Sequence, residues 1–231
     1  MRVYKNYILS KFLPQAIKTT QKTDKRVIFM AKIDFKKELK HLYNTSAKKV
    51  EIVDVPMMNF LMIDGFGDPN TAQGYKDAVE ALFAVSYALK FMVKKEKGVD
   101  YGVLPLEGLW WIDDITQFSM ENKDAWKWTS MIMQPEYVTE DLVSKALEQV
   151  EKKKNPPALS KINFESFHEG LSVQIMHIGP YSAEGPTIEK LHNFIKGTGH
   201  ELRGKHHEIY LSDPRRSASE RMKTVIRQPM K

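Results

Sequence analysis

Glu208 and Tyr210 place a carboxylate and a phenol two residues apart, and the segment around Trp110 repeats that arrangement without the charge. Alternate residues of a β-strand share a face, so Glu208, Tyr210 and Ser212 fall together, as do Gly108, Trp110 and Ile112. An internal repeat relates the two segments and sets Trp110 against Tyr210, and Gly108 against Glu208, across a pseudo-twofold axis. One wall then offers an aromatic ring with an open glycine, the other an aromatic ring beside a carboxylate. Such a cleft stacks a flat hydrophobic ligand and holds one polar atom. A carboxylate among aromatics is poorly solvated when ionised, so the pKa of Glu208 is expected to rise and improve it as a general base. Tyr181, delivered by the turn Gly179-Pro180-Tyr181, can point inward and donate a hydrogen bond to developing negative charge. The same Glu208 would also pair with a cationic, drug-like amine, so these residue types leave catalysis and simple binding both open.

Other candidates have plainer roles. Trp110, Trp111, Trp126 and Trp128 alternate on strands, and at least two of the four are expected to be core. Trp111 has the opposite parity to Trp110, so the two cannot both stack on one ligand from a regular strand. Glu107 shares the face of Trp111 and is expected at the surface, paired with a lysine. Glu184 reads as a first-turn helix carboxylate rather than a base. His206 and His207 point to opposite faces, and no other spacing suits a metal. No Gly-rich phosphate loop or Gly-x-Ser-x-Gly elbow is present, and Gly65-Phe66-Gly67 lacks the rest of a dinucleotide fingerprint. With no cysteine in the chain, disulfides, thiolate zinc sites and cysteine nucleophiles are excluded. No metal or cofactor is expected.

These residues need elements to position them. Residues 50–53 and 58–63 read as strands joined near Pro56, followed by turn chemistry in Asp64-Gly65-Phe66-Gly67-Asp68-Pro69-Asn70 with an Asp-Pro helix start. Tyr75, Ala78, Val79, Leu82, Val85, Ser86, Leu89 and Met92 recur at helical steps and predict a long helix ending near Gly98. Residues 101–106, 107–112 and 126–133 are strand-like. Thr139 caps a second helix over about 139–154, whose last-turn lysines suit its negative end before Asn155-Pro156-Pro157 stops it. Strand 171–178, a helix carrying Ile188, Leu191, Phe194 and Ile195, and strands 207–211 and 223–227 follow.

The two halves align. Glu107-Gly108-Leu109-Trp110 answers His207-Glu208-Ile209-Tyr210, and both closing strands end in Gln-Pro, at Gln134-Pro135 and Gln228-Pro229. The expected fold class is α+β, with duplicated strand–helix–strand–strand units forming antiparallel sheets with helices packed on one side. The repeats span about 50–135 and 162–231, joined by the helix at 139–154 within a domain of residues 30–231. The pseudo-twofold interface is the natural place for a cleft, and the protein is expected to be a monomer or weak dimer.

Charge does not suggest nucleic acid. Residues 1–29 hold seven basic residues against Asp24 alone, so they carry the whole formal net charge of +6 and leave the body neutral. This stretch is expected to be an extension, or sequence upstream of an alternative start at Met30, and dispensable for folding. No apolar run approaches the roughly 20 residues of a membrane span, no apolar signal region opens the chain, and a cytoplasmic location is expected.

The segments Pro105-Leu106-Glu107-Gly108-Leu109-Trp110-Trp111, His177-Ile178-Gly179-Pro180-Tyr181, His207-Glu208-Ile209-Tyr210-Leu211-Ser212-Asp213-Pro214 and Arg227-Gln228-Pro229 resemble those of GyrI-like small-molecule-binding proteins. That family shares its domain with the effector-binding ends of multidrug-sensing transcription factors. The resemblance implies a duplicated strand–helix–strand–strand fold that binds hydrophobic or cationic aromatic small molecules. The branch that looks similar stands alone; the residues before the repeat are too few for a winged or tandem helix-turn-helix, so no direct DNA binding is expected. Some members of that branch are cyclopropanoid cyclopropyl hydrolases, which open the strained ring of DNA-alkylating natural products such as yatakemycin and CC-1065. The resemblance implies detoxifying hydrolysis with Glu208 and Tyr181 as catalytic candidates, and Glu107 as a second-choice carboxylate. Trp110, Tyr210, Trp111, Glu107 and Trp128 are the candidate ligand contacts. The alternative is a non-catalytic protein that sequesters or senses drugs.

Overall fold

The computed structural model describes residues 32–113 and 123–231, and the extension expected at 1–29 lies outside the described residues. Six antiparallel strands close into one barrel: β1 (Glu51–Phe66), β2 (Leu106–Trp111), β3 (Lys127–Gln134), β4 (Asn163–Ile178), β5 (His206–Tyr210) and β6 (Lys223–Pro229), in the order β1-β3-β2-β5-β6-β4. The expected separate sheets are therefore one closed sheet, and closure leaves no unpaired edge. Two short helices, α1 (Phe35–Glu38) and α2 (Lys40–Tyr43), precede it. α3 (Gln73–Lys97), α4 (Glu140–Lys153) and α5 (Gly185–Gly197) connect the strands.

Local chemistry explains most boundaries. α3 buries Ala78, Leu82, Val85, Leu89 and Val93, and Gly98 ends it at φ 68°, a left-handed position that glycine takes without Cβ strain. The side chain of Thr139 caps α4 by accepting from the Leu142 N–H. Three expectations change. The strands expected at 50–53 and 58–63 merge into one 16-residue strand that begins at Glu51 and runs through Pro56, because β4 pairs with it on both sides of that residue, at Val55 and Met57. Residues 101–105 form no strand beyond a single bridge from Tyr101 to Ile33. α3 begins at Gln73 rather than at Asp68-Pro69, with Ala72 at its cap.

The register is what positions the site. Gly108 faces Glu208, flanked by Leu106 opposite Tyr210 and Trp110 opposite His206. Farther out, Asn59 faces Gln134 and Val173 faces Gln228.

The barrel interior carries charge. Both ring nitrogens of buried His207 meet carboxylates, Nε2 with Glu107 Oε2 at 3.0 Å and Nδ1 with Glu169 Oε1 at 3.0 Å. Ionised carboxylates only accept, so both nitrogens donate and the ring is an imidazolium. Arg227 donates to Glu169 Oε2 (3.0 Å), Gln174 Oε1 (2.9 Å) and the Leu42 carbonyl (2.9 Å). Tyr43 donates to Glu107 at 2.9 Å, so α2 is fastened to the network. Two anions thus face two cations. Burial alone would depress the His207 pKa, but Glu169 and Glu107 lift it to about 9. Burial would likewise raise Glu169, but His207 and Arg227 hold it at about 2.

A pH dependence follows. His207 has an ordinary pKa near 6.5, so its contribution is complete below that value and is lost as pH rises through about 9. Thermal melts of the wild type should show Tm falling between about pH 6.5 and 9. A flat profile over that window would mean that the buried ring is neutral.

Candidate functional site

On β2 and β5 the residues alternate with those of the network, so Gly108, Trp110, Glu208 and Tyr210 face out of the barrel. Trp110, Glu208 and Tyr210 line a cavity of about 2030 Å³ bordered by α3 and α5. Around the outward residues of β2 and β5 its wall is aromatic: Tyr75 of α3, Trp110 and Trp111 of β2, Trp126, Tyr181 and Tyr210. Tyr75 lies 5.8 Å from Trp110, and Tyr181 meets Tyr210 edge-on at 5.5 Å.

Tyr181 is held by its turn. Gly179 adopts φ 144°, a conformation L residues rarely take, and His177 clamps the turn through Thr187 Oγ1 (3.0 Å) and the Pro180 carbonyl (3.2 Å). Burial and the carboxylates of Glu184 and Glu208 push its phenol up to about 12, so it remains a donor at neutral pH.

The chemical centre is a pair of carboxyls. Glu208 accepts from Tyr210 Oη at 2.8 Å and from His206 Nε2 at 3.2 Å. Burial favours its protonation, but hydrogen bonds from His206 and Tyr210, with Lys123 nearby, hold its pKa below the ordinary value. The expected rise is therefore reversed, because donors on both oxygens outweigh desolvation. Glu184 stands at the start of α5, 4% exposed, and its Oε1 is sealed without a hydrogen-bond partner among the described residues. Burial first, then the Glu208 charge, raises Glu184 to about 8. At neutral pH the pair is one carboxylate and one carboxylic acid. Environments that drive two titratable groups apart in this way divide acid and base roles between them.

Residues 48–230 match the family model described as the GyrI-like small molecule binding domain. The chain belongs to the GyrI-like family. An uncharacterised conserved protein from Listeria innocua is 43% identical over 87% of this chain and 100% of its own, with a TM-score of 0.81. A Listeria innocua protein named as a hydrolase is 42% identical over the same shares, with a TM-score of 0.78. A cryo-EM structure of EcmrR with DNA, 12% identical over 85% of this chain and 63% of its own at a TM-score of 0.50, shares the fold. A search of curated proteins finds no match.

Against the GyrI-like frame, the expected site residues divide. Glu208, Tyr210, Tyr181, Trp110 and Trp111 border one cavity. Trp111 reaches it from the end of its strand, where the parity restriction relaxes, with Lys205 Nζ 3.3 Å from its ring centroid. Glu107 is not at the surface beside a lysine; it is 1% exposed inside the barrel, committed to Tyr43 and His207. Trp128 is buried behind Tyr75, edge-on at 5.1 Å, and packs over Gly65, where an added Cβ would fall 2.2 Å from its ring. Both leave the ligand-contact set, since inward parity and the overlying Tyr75 separate them from the cavity. Glu184 is the residue that sequence reasoning passed over. Its signal was its place three residues after Tyr181 on the turn already expected to face inward. Among the described residues no cluster suits a metal ion, and no helix is long and apolar enough to cross a membrane.

Because the Glu208 charge is one of the forces raising Glu184, Glu208→Gln should lower the Glu184 midpoint from about 8. Desolvation persists, so it should stay above the ordinary carboxyl value. Carboxyl ¹³C titration of the two proteins is the check, and an unchanged midpoint would mean that the groups are not coupled.

Proposed function

We propose that this protein binds planar, hydrophobic small molecules in the aromatic cavity and hydrolyses strained, cyclopropane-bearing genotoxic electrophiles, a detoxifying role. The observation that carries the reading is the Glu208–Glu184 pair, one charged and one protonated, in a cavity walled by aromatic rings. Glu208 takes a proton from water as its oxygen attacks the ring CH₂. The ring C–C bond breaks, and its electron pair passes through the conjugated system to a carbonyl oxygen. Glu184 supplies the proton that oxygen needs, and Tyr181 donates a hydrogen bond to it as charge develops. Tyr210 and Trp111 provide ring surface for the flat substrate, with Trp110 contributing only its exposed edge. The 42% identical Listeria innocua hydrolase supports a hydrolytic reading.

The second reading is a binding protein that sequesters cationic aromatic drugs. Its support is the single negative charge of the pair within the aromatic wall, which suits a desolvated cation. The protein is further proposed to be a monomer or weak dimer, with residues 30–231 as one domain. Its halves, about 50–135 and 162–231, are proposed as duplicated units about a pseudo-twofold axis. The mirrored strand order and the matching outer registers at Gln134 and Gln228 support that duplication.

Incubation with a panel of cyclopropane-bearing alkylators and planar cationic drugs tests both readings. Glu208→Gln keeps the shape and removes the base, so ligand should still bind while turnover falls by about a hundred- to ten-thousand-fold. Binding without turnover in the wild type selects sequestration. Full activity in Glu208→Gln ends the general-base role.

A further inference from the structure

Glu208 is held by a chain of donors that starts on the other half of the molecule. Trp110 Nε1 donates to Tyr210 Oη at 3.1 Å, and Tyr210 Oη donates to Glu208 Oε2 at 2.8 Å. A phenol has one proton to give, so accepting from Trp110 turns that proton toward Glu208 and polarises the O–H. The indole can reach only because residue 108 is glycine. A Cβ there would fall 2.7 Å from Trp110 Nε1 and 3.1 Å from Tyr210 Oη, inside the hydrogen bond itself. Trp110 is also only 7% exposed, which leaves little of its face for a ligand.

We infer that Trp110 is a positioning residue for Glu208, acting through the Tyr210 hydroxyl, and that Gly108 is the opening that permits it. Stacking on the ligand is then a minor part of what Trp110 does. The inference rests on Glu208 being the working carboxylate of the proposed site, but not on which ligand or reaction that site serves.

Several groups face Glu208. Tyr210 and His206 come from its own strand, and Lys123 from the segment leading into β3. Glu184 stands at the start of α5, Tyr181 on the turn before it, and Tyr75 on α3. Only the Tyr210 contact passes through Trp110.

The test is a double-mutant cycle read by carboxyl ¹³C titration of Glu208, assigned by its loss in Glu208→Gln. Trp110→Phe keeps a ring and removes the N–H; Tyr210→Phe removes the hydroxyl. The Glu208 midpoint should rise in Trp110→Phe, rise further in Tyr210→Phe, and stand in the double variant where Tyr210→Phe alone puts it. No shift in Trp110→Phe, or shifts that add in the double variant, overturns the inference. Gly108→Ala pushes the indole away without deleting it and should raise the midpoint as Trp110→Phe does. It provides the same decision if Trp110→Phe does not fold. This readout uses no substrate, so it stands apart from failure of the hydrolase reading. Where turnover is observed, Trp110→Phe should lower kcat by roughly three- to tenfold, the scale of one neutral hydrogen bond, with KM little changed. A rise in KM with kcat intact would instead assign Trp110 to stacking.

Discussion

The contact on which the rest of this molecule depends is His207 between two carboxylates. A buried imidazolium flanked by Glu107 and Glu169, with Arg227 completing the charge balance, tolerates little displacement, because removing any one partner strands a charge away from water. The network ties β2, β4, β5 and β6 to one another and, through Tyr43 and the Leu42 carbonyl, to α2. It also fixes register. With His207 inside, strand alternation leaves Glu208 no direction but outward, and a slip of one residue would exchange them. The groove carboxylate is therefore set by a charge cluster on the opposite side of the same sheet.

Glycine and large aromatics form the second constraint. Trp128 folds over Gly65 and Trp110 over Gly108, each indole occupying the space a Cβ would need. The two contacts serve different ends. At Gly65 the ring fills the sheet surface behind Tyr75 and contributes packing. At Gly108 the ring edge presents an N–H to the Tyr210 phenol, so the same steric opening delivers a donor. Both pairs lie within the sheet, Gly65 directly across from Trp128 on the neighbouring strand and Gly108 two positions before Trp110 on the same strand, so neither depends on loop conformation.

Much of this was legible where chemistry is periodic. Parity alone put Glu208 and Tyr210 together, apolar spacing gave α3 and its end at Gly98, and Thr139 marked the start of α4. The aligned segments also set Gly108 against Glu208, and those residues face each other in the barrel. What failed depended on neighbours distant in sequence. Glu107 looked like a surface carboxylate because its partners, Tyr43 and His207, lie 64 and 100 residues away. Pro56 suggested a break because a local rule cannot register the β4 ladder on either side of it. The Glu208 pKa was expected to rise because desolvation could be read from its aromatic neighbours, whereas the donors that reverse it depend on rotamers. Glu184 was judged by its helix position alone. The favourable field of a helix N-terminus is worth little against burial and a like charge.

The two faces of β2 and β5 thus carry opposite electrostatic designs from interleaved residues. Inside, Glu107 and His207 belong to a set in which each charge has a counter-charge, and the raised pKa of His207 and the lowered pKa of Glu169 both favour ionised forms. Outside, Glu208 keeps its charge through hydrogen bonds from Tyr210 and His206, while burial and the Glu208 charge outweigh the distant attraction of Lys123 at Glu184. The unbalanced group responds by holding a proton to about pH 8. A site that retains an acid and a base side by side at neutral pH needs this inequality, since two equally stabilised carboxylates would both ionise. The inner network fixes the register of β5 and so the outward direction of Glu208, while Glu184 is brought to it from the start of α5.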